Sequence, residues 1–171
     1  MGFEGSGPSV ENMHKVRQNT AFVPQRKTLT KFEGISQGLA LVPSGVFVLV
    51  ARHGGETAAM LASFVQQAGF DPPMIVAAVQ YSRPVRQMIQ NSGTFALSVM
   101  SADSKQSLKR FWAPPEGADP FDGLDTQNHA TGLPILSDAV GFLECRLRSS
   151  TDAGDHVLLI AEVINGGRIG E

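Results

Sequence analysis

Val46-Phe47-Val48-Leu49-Val50-Ala51 is an unbroken run of β-branched, aromatic and aliphatic residues, and His53-Gly54-Gly55-Glu56 follows almost at once. Side chains branched at Cβ are stiff and pack well on a pleated surface, so the run favours a strand. No polar residue alternates along it, so that strand is covered on both faces or nearly so. The adjacent glycines supply the positive φ that a tight reversal requires. Together these features direct the chain toward antiparallel pairing.

The rest of the chain extends the pattern. Thr57 to Ala68 reads as the return strand, although its AAMLASFV stretch alone would suit a helix equally well. Asp71-Pro72-Pro73 closes it, because proline cannot donate to a ladder. Met74 to Val79 is a further β run, and Pro84 opens a helix to Asn91 that Ser92-Gly93 ends. Thr94 to Met100 is again strand. Ser101-Ala102-Asp103-Ser104 then caps a helix reaching about Trp112. Ala113 to Gly132 is polar and rich in Pro and Gly; a connection of about twenty residues is long enough to be functional or partly ordered. Phe142 to Arg148 and His156 to Ile164 complete the β segments.

Upstream, Phe32, Ile35, Leu39 and Leu41 with Val42 have helical spacing that stops at Pro43. Residues 1–30 lack a sustained apolar period and read as an N-terminal extension or linker to a folded domain of residues 31–171. The expected architecture is mainly β, about six antiparallel strands with two or three short peripheral helices, nearer a barrel than a βαβ sheet.

Composition narrows the function. The 171 residues are 42% hydrophobic and 18% charged, with scattered charges summing to −2. No basic stripe marks a nucleic-acid binder, and no apolar run spans a bilayer. The single cysteine, Cys145, excludes an internal disulfide, and no Cys/His cluster suggests a metal. The N-terminus lacks a signal-peptide pattern, so a cytoplasmic location is expected.

Candidate chemistry is sparse: there is no GxGxxG after a strand, no phosphate loop with its lysine and no GxSxG. His14, His53 and His129 fall in the tail, a turn and a polar loop, where solvation is the expectation. His156, behind Gly154-Asp155 and opening a strand, is either a strand-end residue or a functional one. Met60-Leu61-Ala62-Ser63-Phe64 mixes small and apolar residues, which admits close approach of a flat ligand or ordinary packing. Ser82-Arg83-Pro84-Val85-Arg86 sets a hydroxyl and two guanidinium groups at a helix start, suited to a phosphate or simply solvated. Phe111-Trp112 belongs to the core or covers a ligand, and Cys145 reads as a buried small apolar residue.

Taken in order, eight stretches resemble the flavin reductase-like family, whose members have an FMN-binding split barrel of Greek-key type. They are PSGVFVLV from Pro43, AMLASFV from Ala59, FDPPMI from Phe70, SGTFALSV from Ser92, FDG from Phe121, GLPIL from Gly132, LECR from Leu143 and GDH from Gly154. The wording AMLASFVQQAGF and GLPILSDAVGFLEC is especially similar to the reductase module of flavodiiron-type proteins. The resemblance implies a homodimer and hydride transfer from NAD(P)H to FMN, with electrons passing to a further acceptor such as a partner protein. It implies that Met60, Leu61, Ala62, Ser63, Phe64 and Ala68 line the flavin, that Ser82, Arg83 and Arg86 hold its phosphate, and that His156 orients the nicotinamide. Gln66, Gly69 and Val85 stand where family members often carry hydroxyls, leaving weak binding, flavin as substrate or reliance on the arginines open. The alternative is a non-catalytic split-barrel carrier or sensor of flavin or haem.

Overall fold

The structure is a computed structural model that describes residues 30–112 and 119–170. The expected linker over residues 1–30, apart from Thr30, and residues 113–118 of the polar loop lie outside the described residues. The chain divides into two units, Met1–Leu41 and Val42–Glu171. In the first, helix α1 spans Lys31–Leu39. Thr30 and Glu33 close a reciprocal cap, the Glu33 N–H donating to Thr30 Oγ1 at 3.2 Å and the Thr30 N–H to Glu33 Oε2 at 2.8 Å. The helix ends before Leu41 and Val42, short of the proline expected to stop it.

The second unit contains β1 (Phe47–His53), β2 (Glu56–Ala62), β3 (Val65–Phe70), β4 (Pro73–Gln80), α2 (Pro84–Ser92), β5 (Thr94–Val99), α3 (Lys105–Trp112), β6 (Thr126–Asn128), β7 (Pro134–Leu136), β8 (Gly141–Ala153) and β9 (His156–Arg168). The mainly β antiparallel architecture is as expected, but the strands among the described residues number nine rather than about six. The expected strand Thr57–Ala68 is two strands, broken at Ser63-Phe64, and the polar loop contributes the small hairpin β6–β7. Gly54 and Gly55 turn β1 into β2 with φ of 61° and 85°, the primed geometry that matches strand twist. Pro73 is tolerated because it opens β4, where its missing N–H breaks no interior ladder bond.

Seven strands form one sheet in the order β2-β1-β5-β8-β9-β4-β3. Its two edge strands, β2 and β3, are consecutive in the chain and separated only by Ser63 and Phe64. Two residues cannot span a flat sheet of that width, so the sheet curls until its edges meet at this junction. The Ala78 N–H donating to the Phe64 carbonyl at 2.8 Å fastens the closure. Leu49, Ala51, Ala62, Val65, Ala77, Phe95, Leu97, Cys145 and Leu159 fill the barrel, and Val85 and Ile89 of α2 join that core.

The alternate residues of β1 explain its uninterrupted apolar run. Val48 and Val50 point outward under a second layer made by Phe111 of α3 with Phe121, Leu133, Ile135 and Leu136. Both faces of β1 are therefore dry from Val48 to Ala51. Among the described residues, no helix is long and apolar enough to cross a membrane, and no group of three His, Cys, Asp or Glu could hold a metal.

Candidate functional site

Register decides which backbone groups of β2 remain available. The two-glycine turn sets His53 opposite Glu56, and in an antiparallel hairpin the hydrogen-bonded pairs recur at every second residue from there. Ala58, Met60 and Ala62 thus turn their N–H and C=O groups to β1. Thr57, Ala59 and Leu61 turn theirs to the other side, where among the described residues no strand pairs with them. An uncovered edge of this kind is a row of alternating donors and acceptors.

A cavity of about 470 Å³ lies on that edge, within the size range of small-molecule sites. Ala59, Met60, Leu61, Ala62 and Ser63 form its strand side, with Val46 beside them. Phe111 and Trp112, at the C-terminal end of α3, form an aromatic wall. Arg83 closes the remaining side. It is the N-cap residue of α2, makes no side-chain cap bond, and among the described residues its guanidinium has no hydrogen-bond or ion-pair partner.

The structure brings five sequence-predicted residues, Met60, Leu61, Ala62, Ser63 and Arg83, into this one cavity. The others lie around it. Phe64, 63% exposed, has its ring centroid 5.7 Å from that of His156 at 56°. Ser82 is exposed, its hydroxyl 3.5 Å from Gln80 Oε1. Ala68 occupies the bulge in β3 between Gln67 and Gly69. Arg86 faces its own helix and the preceding loop: Nε donates to the Tyr81 carbonyl at 3.2 Å and Nη1 to Gln90 Oε1 at 2.7 Å.

His156 opens β9 opposite Gln80 of β4, and its Nδ1 lies 2.7 Å from Asp155 Oδ1. That hydrogen bond leads the contributions that hold the Asp155 carboxyl below its ordinary value. Two of the three departures from hydroxyl positions, Gly69 and Val85, also have local reasons. A Cβ at Gly69 would meet Met74 side-chain atoms at 3.2 Å, and Val85 points into the barrel core.

Val46 and Ala59 escaped sequence reasoning; Ala59 is recoverable, since it shares the open-edge parity of Leu61 and Ser63. His129 departs from its expected solvation. Its ring stacks on Phe142 at 4.0 Å and 12°, and its Nε2 is buried without a partner among the described residues.

Glu144 is a fully buried carboxyl, and it lies in the second layer beside the β8 bulge. Burial pushes its carboxyl up, but donation from the Thr131 hydroxyl and N–H, Asn165 Nδ2 and the Ala130 N–H outweighs that and holds it below the ordinary value. Cys145 is fully buried, and burial with the neighbouring Glu144 charge pushes its thiol up to about 12. It is no nucleophile.

The family model described as flavin reductase like domain matches residues 39–171. Diflavin flavoprotein A 1 of Synechocystis sp. is 34% identical over 151 residues, covering 85% of this chain and 26% of that protein. The chain thus spans about a quarter of the length of the curated relatives it matches. Among solved structures, the NADH:FAD oxidoreductase of Streptomyces globisporus is similar with a TM-score of 0.75 and 26% identity, covering 85% of this chain and 89% of that one. The flavin reductase of styrene monooxygenase from Pseudomonas putida S12 has a TM-score of 0.68 and 26% identity, over 79% and 86% of the two chains.

Proposed function

From the premise that the chain belongs to the flavin reductase like domain family, we propose that it binds FMN on the open edge of β2 and catalyses its reduction by NAD(P)H. The observation that carries this reading is the coincidence of three features in one cavity: unpaired strand-edge backbone, aromatic and aliphatic walls, and an unpartnered guanidinium.

The residues present fit the group. The rim of a flavin's fused ring carries alternating hydrogen-bond donors and acceptors, which the outward N–H and C=O groups of Ala59 and Leu61 complement. Small side chains at Ala59, Ala62 and Ser63 permit the approach, while Leu61, Phe111 and Trp112 exclude water. Arg83 holds the phosphate by charge-assisted donation, with Ser82 beside it. Arg86, engaged by Tyr81 and Gln90, supports that loop.

Bound flavin supplies the two-electron chemistry with the nicotinamide, as cofactors of this kind do. The protein's share is orientation. His156, held at Nδ1 by Asp155 and flanked by Phe64, orients the nicotinamide. This division of labour accounts for the absence of an acid–base pair or nucleophile from the sequence. The solved Streptomyces relative in complex with NAD and FAD fragments supports the pairing of the two ligand classes. A further acceptor, protein or small molecule, takes the electrons onward.

The reading includes a homodimer in the cytoplasm. Val76, Ala78, Leu158 and Ile160 stand half-buried on the outer face of β4–β9, at paired register positions, and no residue of the second layer covers them. Phe64 and His156 edge the same surface. A second copy would dry it.

The test is a flavin titration followed by anaerobic addition of NADH or NADPH. Saturable quenching of FMN fluorescence and bleaching of the yellow band on nicotinamide addition are expected. Protein that takes up no flavin, or holds flavin that neither nicotinamide bleaches, overturns the proposal.

A further inference from the structure

Tyr81 is the only tyrosine of the chain and sits in the loop between β4 and α2, two residues before Arg83. Every polar group it has is used. Its N–H donates to the Asp155 carbonyl at 3.2 Å, its carbonyl accepts from Arg86 Nε at 3.2 Å, and its hydroxyl donates to the Asp152 carboxylate. The Arg86 guanidinium also lies over its ring, 5.7 Å from the centroid.

Asp155 lies in the turn between β8 and β9 beside Gly154, whose φ is 65°, and Asp152 is the penultimate residue of β8. Asp152 pairs with Val157, which pairs in turn with Val79 on β4. Tyr81 therefore reaches across β9 to its far neighbour. The ladders pair His156 with both Ala153 and Gln80, and Tyr81 adds to them a side-chain bond to Asp152 and a backbone bond to Asp155, beside the turn. The hydrogen bond to Asp152 leads the causes that raise the Tyr81 hydroxyl above its ordinary pKa.

We propose that Tyr81 is a positioning residue that sets His156 by stapling the β8–β9 tip to the loop bearing Arg83; this rests on the functional reading above. Tyr81 touches neither reactant. Its effect runs through Asp152 and Asp155 to the imidazole.

The test compares Tyr81→Phe, Asp152→Ala and the double variant. In flavin-free protein, amide exchange at Tyr81, which donates to the Asp155 carbonyl, and at His156, paired to Ala153, is expected to quicken about tenfold in each variant while that of Leu159 in the sheet holds. In flavin-saturated protein, kcat/KM for NAD(P)H is expected to fall about tenfold in each single variant, with FMN affinity within about twofold. The double variant falls no further, since one contact is lost in all three. Unchanged exchange at the tip, additive losses in the double variant, or an FMN affinity that falls in step overturns the inference. Wild-type protein that binds no flavin overturns the functional reading and takes the catalytic arm with it, whereas the exchange arm still judges the staple.

Discussion

The rings of Phe64 and His156 lie with centroids 5.7 Å apart, inclined at 56°. Phe64 belongs to the two-residue junction where the barrel closes, and His156 opens the last strand. This contact joins the edge proposed for flavin to the side proposed for nicotinamide. His156→Ala is expected to lower kcat/KM for NAD(P)H roughly ten- to a hundredfold while FMN affinity stays within about threefold. Stopped-flow reduction and fluorescence titration separate the two; a parallel loss of flavin affinity would place His156 on the flavin itself.

At the proposed site, Arg83→Ala is expected to remove one charged phosphate contact, worth about 1.5–3 kcal/mol, roughly 10- to 100-fold in Kd. The loss applies to FMN and not to riboflavin, which has no phosphate. Equal losses for both ligands, measured by the same titration, would mean that Arg83 acts on the ring or the fold.

Proline scanning of β2 reads the edge register directly. Ala59→Pro deletes an outward N–H and leaves the β1 ladder whole, so flavin affinity drops more than thermal stability. Ala58→Pro deletes a ladder bond and lowers Tm first. The opposite ranking in calorimetry and titration would reverse the assigned parity of the strand.

Glu144 makes stability depend on acid. Its folded carboxyl titrates below the ordinary value of 4.5, so the folded state binds fewer protons than the unfolded chain. The stabilisation is fully present above that value and disappears as pH falls through the folded pKa. Glu144→Ala strands the donors of Ala130, Thr131 and Asn165 and costs about 3 kcal/mol by urea unfolding at neutral pH. The variant also loses most of the wild type's decline in stability below pH 4.5. A wild-type acid limb that persists in Glu144→Ala would assign it to other carboxyls.

What depends on neighbours in sequence was legible. The β1 run, the Gly54-Gly55 turn, Pro84 and Gly93 at the ends of α2, and the serine cluster before α3 are all local devices. The break at Ser63-Phe64 was not, because no proline or glycine marks it. It follows from the need to join two distant sheet edges. Nor was Glu144, whose donors lie 13 to 21 residues away. The residues Arg148 to Asp152 carry no apolar alternation, yet β8 extends through them as a hydrophilic ribbon paired to β9. The resemblance named the candidate segment; only register showed which of its atoms face outward.

The most direct test is an amide NMR titration of isotope-labelled protein with FMN. The N–H signals of Ala59, Leu61 and Ser63 are predicted to shift most, together with the Arg83 side-chain signal, while riboflavin reproduces the first set and not the last. Shifts confined to another surface, such as the Gln106–Asp138 cavity, would contradict the edge-bound flavin at its root.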